Sequence, residues 1–134
     1  MNKMRTIRKI ILHCSDSDLS QHDNVETIRS WHLARGWKDI GYHFVITKEG
    51  RIRWGRALGM YGAHCSGNNK DSIGICLTGR HHFSKAQFNS LRMLLIKLMR
   101  DYQLPKTKIY GHNHFNKYKS CPNFDVEEVL QTIS

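Results

Sequence analysis

Acidic side chains are scarce in this chain: 11 Asp and Glu stand against 21 Lys and Arg, a formal net charge of +10 over 134 residues. That imbalance favours anionic partners, whether nucleic acid, an anionic lipid surface or a polymer bearing carboxylates and phosphates. Paired carboxylates for glycoside cleavage are hard to assemble from so few acids, most of them in helix-cap or surface contexts. Long apolar runs are missing too, and none approaches the ~18 residues of a membrane span. The basic start MNKMRTIRK is followed by an apolar stretch of only Ile10 to Leu12, too short for the core of a secretion signal. The expectation is a chain made in the cytoplasm, with no membrane insertion.

Cys14, Cys65, Cys76 and Cys121 lack any paired spacing. Without a secretion signal they read as free thiols or ligands, not as a disulfide frame. Walker-type and GxGxxG phosphate loops, a GxSxG elbow and HExxH are all absent. Their absence removes the local signatures of nucleotide binding, hydrolase-elbow chemistry and helix-borne metalloproteolysis. There is no repeat, low-complexity segment or Pro/Gly/Ser linker. Residues 1–134 are therefore expected to form a single domain with no room for a separate binding module.

What is present alternates between two periods. Thr6 to Cys14 reads as a largely buried strand, and Val25 to Arg35 as a helix capped by Asp23 or Asn24 and stopped by Gly36. Gly41–Thr47 and Arg51–Trp54 flank KEG as a hairpin, with Tyr42, Phe44 and Ile46 on one face. Residues 57–71 are rich in glycine and asparagine without a period, which suggests a long surface loop of the functional kind. SIGICLTG alternates as a strand. Lys85–Tyr102 is the clearest helix, with Ser84 and Gln87 as a capping box and Phe88, Leu91, Leu95, Leu98 and Tyr102 as its apolar stripe. Lys108–Gly111 is a short strand, GHNHFNKYKSCPNFD one polar loop, and Val126–Ile133 a last helix capped by Asp125. The alternation predicts an α/β domain, a single mixed central β-sheet flanked by helices.

His13 closes an apolar strand. There it is either a hydrogen-bonded structural residue or a ligand at the C-terminal strand edge, where α/β folds place their sites. His112 stands in the matching place after Gly111, with Cys121 nine positions on. Two imidazoles and a thiolate would fill three positions of a zinc site and leave the fourth for water. Spacing does not choose between His112 and His114. Cys14 is assigned to the core, because neighbours on a strand point to opposite faces. A basic nucleic-acid-binding protein is a further reading, but Lys and Arg are spread along the chain, and a scattered basic face is usually solvation.

Four blocks, IILHCS, RSWHLARGWKDIGYHFVITKEGRI, GAHCSGNNKDSIGICLTG and GHNHFNKYKSCPNFDV, run in order from about Ile10 to Val126. Together they resemble the type-2 N-acetylmuramoyl-L-alanine amidases, small phage endolysins in particular, which are related to peptidoglycan-recognition proteins. The resemblance implies an amidase/peptidoglycan-recognition-protein-like fold and one Zn²⁺ held by His13, His112 and Cys121. It selects His112 over His114 because His112 directly follows the glycine. Hydrolysis of the amide between N-acetylmuramic acid and L-alanine of bacterial peptidoglycan is the implied reaction, with Tyr42 and Lys119 carried over as catalytic. The 57–71 loop would wall the groove, His64 and Asn69 being candidates for holding glycan or peptide. The segment between His112 and Lys119 departs slightly from the phage pattern in length. Some relatives bind peptidoglycan without cutting it, typically lacking the cysteine that Cys121 supplies here. Some phage members also inhibit a phage RNA polymerase, a partner on which the site residues are silent. The expectation is a monomer that acts on the cell wall after release, aided by a pore-forming partner.

Overall fold

Five strands form one mixed sheet in the computed structural model, which describes residues 5–134. They are β1 (Lys9–Cys14), β2 (Phe44–Ile46), β3 (Ile52–Trp54), β4 (Ser72–Leu77) and β5 (Ile109–Gly111), in the spatial order β3-β2-β4-β1-β5. β1 runs parallel to both β4 and β5, and β2 parallel to β4, while β2 and β3 form an antiparallel hairpin. The expected mixed α/β sheet is therefore present. Helix α1 (Val25–Ala34) covers one face; α2 (Lys85–Tyr102) and α4 (Val126–Gln131) cover the other. Between β5 and α4 lies a single helical turn, α3 (His112–Phe115).

Because helices cover both faces, the central strands carry apolar residues almost throughout, and every residue of β4 is buried. Ile10, Leu12, Phe44, Ile46, Ile73, Ile75 and Leu77 pack toward Leu91, Leu95 and Leu98 of α2. On the opposite face Val45 and Cys76 meet Val25 and Ile28 of α1. Asn24 caps α1, its side chain accepting from the Thr27 N–H at 2.7 Å. Asp23, the other candidate, instead accepts from the Lys48 N–H at 2.9 Å and the Thr78 hydroxyl at 2.6 Å.

The α2 capping box forms as expected. Its Gln87 does more than cap: the fully buried amide also donates to the carbonyls of Ile46 at 3.0 Å and Thr78 at 2.8 Å. It thus ties the helix to the ends of β2 and β4. Asp125 caps α4, accepting from the Glu128 N–H at 3.3 Å.

Four expectations are corrected. The first strand begins at Lys9. Residues 111–125 are not one loop, since α3 opens them. Tyr42 does not share a face with Phe44 and Ile46; it packs against the α1-side cluster. The carbonyls of His43 and Tyr42 accept from the successive N–H groups of Gly55 and Arg56, each at 2.8 Å. A regular ladder does not direct adjacent carbonyls to one partner strand, so the alternation breaks before β2 begins. The 57–71 segment also folds inward, burying His64 and Cys65. Among the described residues, no helix is long and apolar enough to cross a membrane.

Gln87→Ala removes the bolt as well as the cap, leaving the buried Thr78 carbonyl and the Ser84 N–H without this partner. It should cost about 2–4 kcal/mol, whereas Ser84→Ala, which loses the cap and the hydroxyl's bond to the Lys48 carbonyl, should cost about 1–2 kcal/mol. Urea unfolding of the two variants checks this, and equal losses would contradict the second role.

Candidate active site and metal centre

Parallel pairing of β1 with β5 ends at Leu12 beside Gly111. The next residue on each strand is a histidine, so His13 and His112 emerge side by side at the C-terminal sheet edge, ring centroids 4.7 Å apart. Cys121 returns to them on the segment after α3. Its carbonyl accepts from the Asn113 N–H at 2.8 Å, and its Sγ from the Cys14 N–H at 3.1 Å. Gly111 makes the approach possible: a Cβ there would lie 2.8 Å from Cδ of Pro122. Cys14 is buried, but it belongs to the site and not to the core alone: it lines the cleft, and both its N–H and its thiol lie against Cys121.

One donor atom from each of His13, His112 and Cys121 lies within 4.8 Å of the others. His13 Nδ1 and Cys121 Sγ are 3.9 Å apart. Tetrahedral zinc, with bonds of about 2.0–2.3 Å, separates such atoms by roughly 3.3–3.6 Å, so the set would close on an ion by a contraction of at most about 1.5 Å. Two imidazole nitrogens and a sulfur are also the donor types zinc selects. The residues fit the ion. His114 points elsewhere, its ring stacked on Tyr110 at 4.7 Å.

The electrostatics favour lone pairs over charge. His13, only 1% exposed, is held well below the ordinary histidine range by burial and then by its histidine neighbours. Burial, and secondarily the Lys119 charge, also lowers His112. Tyr42 lies 5.0 Å from the His13 ring, and its phenol is pushed well above its usual range, first by burial and then by nearby cysteines. The Cys121 thiol is pushed up by the adjacent Cys14 thiol and by burial.

The two residues expected on the substrate wall sit differently. His64 borders the cleft and contacts His13, with Nδ1 2.8 Å from His13 Nε2 and Nε2 3.1 Å from Ser72 Oγ. Neither nitrogen is left for substrate. Asn69 commits its side-chain oxygen to the main-chain N–H groups of His64 and Cys65, each at 2.9 Å. The open walls of the 880 Å³ cleft come instead from Trp31, Arg35 and Trp37 on one side and Phe115, Tyr118 and Lys119 on the other. Apart from Lys119, these were not foreseen. Tyr118 is 90% exposed, a weak signal that appears only once the chain is folded.

The N-acetylmuramoyl-L-alanine amidase family model matches residues 3–124. The chain belongs to this family. The amidase is 38% identical over 130 residues to the endolysin of Enterobacteria phage T3, spanning 91% of this chain and 84% of that relative. Its fold resembles the N-acetylmuramoyl-L-alanine amidase LysC of Clostridium intestinale URNW, with a TM-score of 0.85 and 29% identity over 97% of this chain and 88% of that one. It also resembles Drosophila PGRP-LB, with a TM-score of 0.75 and 28% identity over 89% and 76%.

Two further histidines of this amidase are buried behind the site. His43 accepts from the Gly74 N–H at 3.0 Å and donates to the Met60 carbonyl at 2.9 Å; His32 accepts from the Gly41 N–H at 2.8 Å. Burial lowers each to about 4. The folded state therefore binds fewer protons than the unfolded one between pH 4 and the ordinary value of 6.5. Stability is fully present above pH 6.5 and is lost as pH falls toward 4, by about 2 kcal/mol per histidine at pH 5. Urea midpoints should drop between pH 7 and pH 5; a flat profile would show that these rings titrate normally.

Proposed function

We propose that this amidase is a Zn²⁺-dependent hydrolase, of the phage endolysin type, that cuts the amide between N-acetylmuramic acid and the first L-alanine of peptidoglycan. The convergence of His13, His112 and Cys121, donor atoms within 4.8 Å of one another with His112 and Cys121 lining the cleft, supports the reading most directly. Zinc bound there would polarise the scissile carbonyl and lower the pKa of a water molecule. The chain's own groups supply the rest.

Tyr42 keeps its proton, because burial holds the phenol up, so it acts as a hydrogen-bond donor and not as a base. Lys119 lines the cleft close enough for its charge to depress His112. Its ammonium group meets the negative oxygen that develops as the amide is attacked, a contribution worth about 3 kcal/mol for one well-placed donor. Trp31 and Trp37 offer apolar faces to sugar and peptide. Arg35, stacked 5.5 Å from the Trp37 ring, offers a cation to the carboxylates of the stem peptide.

Zinc analysis and turbidity loss of cell-wall suspensions test the assignment together. The parent protein should hold about one zinc per chain. Cys121→Ser and His112→Ala should lose the metal and at least ~100-fold in rate, while His114→Ala keeps both. Lys119→Ala should keep zinc and lose about 10²–10³-fold in rate; Tyr42→Phe should keep zinc with a smaller loss. Equal zinc in Cys121→Ser and the parent would end this reading.

A further inference from the structure

We infer that His64 is a positioning residue for His13, dictating which of the two His13 nitrogens carries the proton through a one-way hydrogen-bond chain anchored on a main-chain carbonyl. This inference rests on His13 serving as a zinc ligand in the proposed function.

The chain is read from its fixed end. The Asn68 carbonyl can only accept, and Ser72 Oγ lies 2.5 Å from it. The single hydroxyl proton of Ser72 is therefore committed there. Ser72 Oγ also lies 3.1 Å from His64 Nε2, where it has only a lone pair to offer, so His64 Nε2 carries a hydrogen. A neutral His64 then presents a lone pair at Nδ1, which faces His13 Nε2 at 2.8 Å. The ring is 8% exposed, and neither of its partners, Ser72 and His13, carries a negative charge to pair with a buried imidazolium. His13 must donate from Nε2, which leaves its Nδ1 bare. Nδ1 is the atom 3.9 Å from Cys121 Sγ. Each link has one possible direction, and the result is the tautomer a ligand needs.

The seat of the ring is built as narrowly as the chain. A Cβ at Gly74, in the middle of β4, would come within 2.6 Å of His64 Cγ, and one at Gly62 within 2.5 Å of His64 Cδ2. Glycine inside a strand weakens it and often marks a close approach; here the two glycines open a slot of imidazole width. Asn69 fixes the main chain at His64 through the bonds described above. Ring, backbone and both nitrogens are thus constrained, as expected of a group that aims a ligand.

Nitrogen-15 NMR of the imidazoles in metal-free protein tests this without any activity. The parent should show His13 protonated at Nε2 and bare at Nδ1. His64→Leu, which lacks an acceptor, should show a mixture of His13 tautomers and about 10–100-fold weaker zinc binding in a chelator competition. His64→Asn, which restores an acceptor oxygen near the Nδ1 position, should recover most of the affinity. Should His64→Leu not fold, Ser72→Ala carries the test, and a fraction of His13 protonated at Nδ1 is expected. A parent with His13 protonated at Nδ1 overturns the inference, as does a foldable variant that leaves tautomer and affinity unchanged. If instead the tautomers shift while zinc content is indifferent to Cys121, the ligand assignment is what has failed.

Discussion

The parallel register of β1 against β5, with Leu12 beside Gly111, is the constraint from which the site follows. Side chains alternate along a strand, so a slip of one residue would send His13 to the α2 face and His112 away from it. The apolar pattern holds the register. Ile10 and Leu12 belong to the core under α2, as does Ile109, and none of them can turn outward without exposing that core. The stability of the sheet and the geometry of the proposed ligands are therefore one property. Pro122 approaching Gly111 extends the same logic to Cys121, whose place depends on a position with no side chain.

A strongly basic exterior encloses a site whose imidazoles are uncharged. Burial lowers His13, His32, His43, His64 and His112 alike, and desolvation is the leading cause in every case. Neutral imidazole costs little to bury when both nitrogens have partners, which His43 and His64 obtain from neighbouring main-chain and side-chain groups. The cationic surface can attract an anionic polymer from a distance. The interior does something different, presenting lone pairs at a defined point.

Much of this was readable from residue patterns. The stripe and capping box of α2, the alternation of SIGICL and the histidines after two strands each rest on local periodicity, and the fold bears them out. What escaped depends on contacts between distant segments. Tyr42 leaves the β2 face because of a break in the ladder with Gly55 and Arg56, which strand alternation cannot foretell. The four residues of α3 are too few to show a helical period. His64 meets His13 across 51 positions, and nothing near it in the sequence names its partner. Gly74 offered a faint cue, since a glycine inside an otherwise apolar strand marks a place where something comes close.

Charge links these features to the proposed chemistry. Without metal, the cluster consists of two neutral imidazoles and a thiol whose proton is held by burial and by Cys14. A dication in that setting would invert the preference of the thiol, because a coordinated sulfur gives up its proton. Two neutral nitrogens and one thiolate would then leave a net positive charge beside the cleft, and Lys119 adds another at its wall. An acidic ligand in place of a histidine would cancel that field. The proposed ligand set is thus matched to a reaction that builds negative charge on an amide oxygen, and a protonated Tyr42 would reinforce the match by donating instead of competing for a proton.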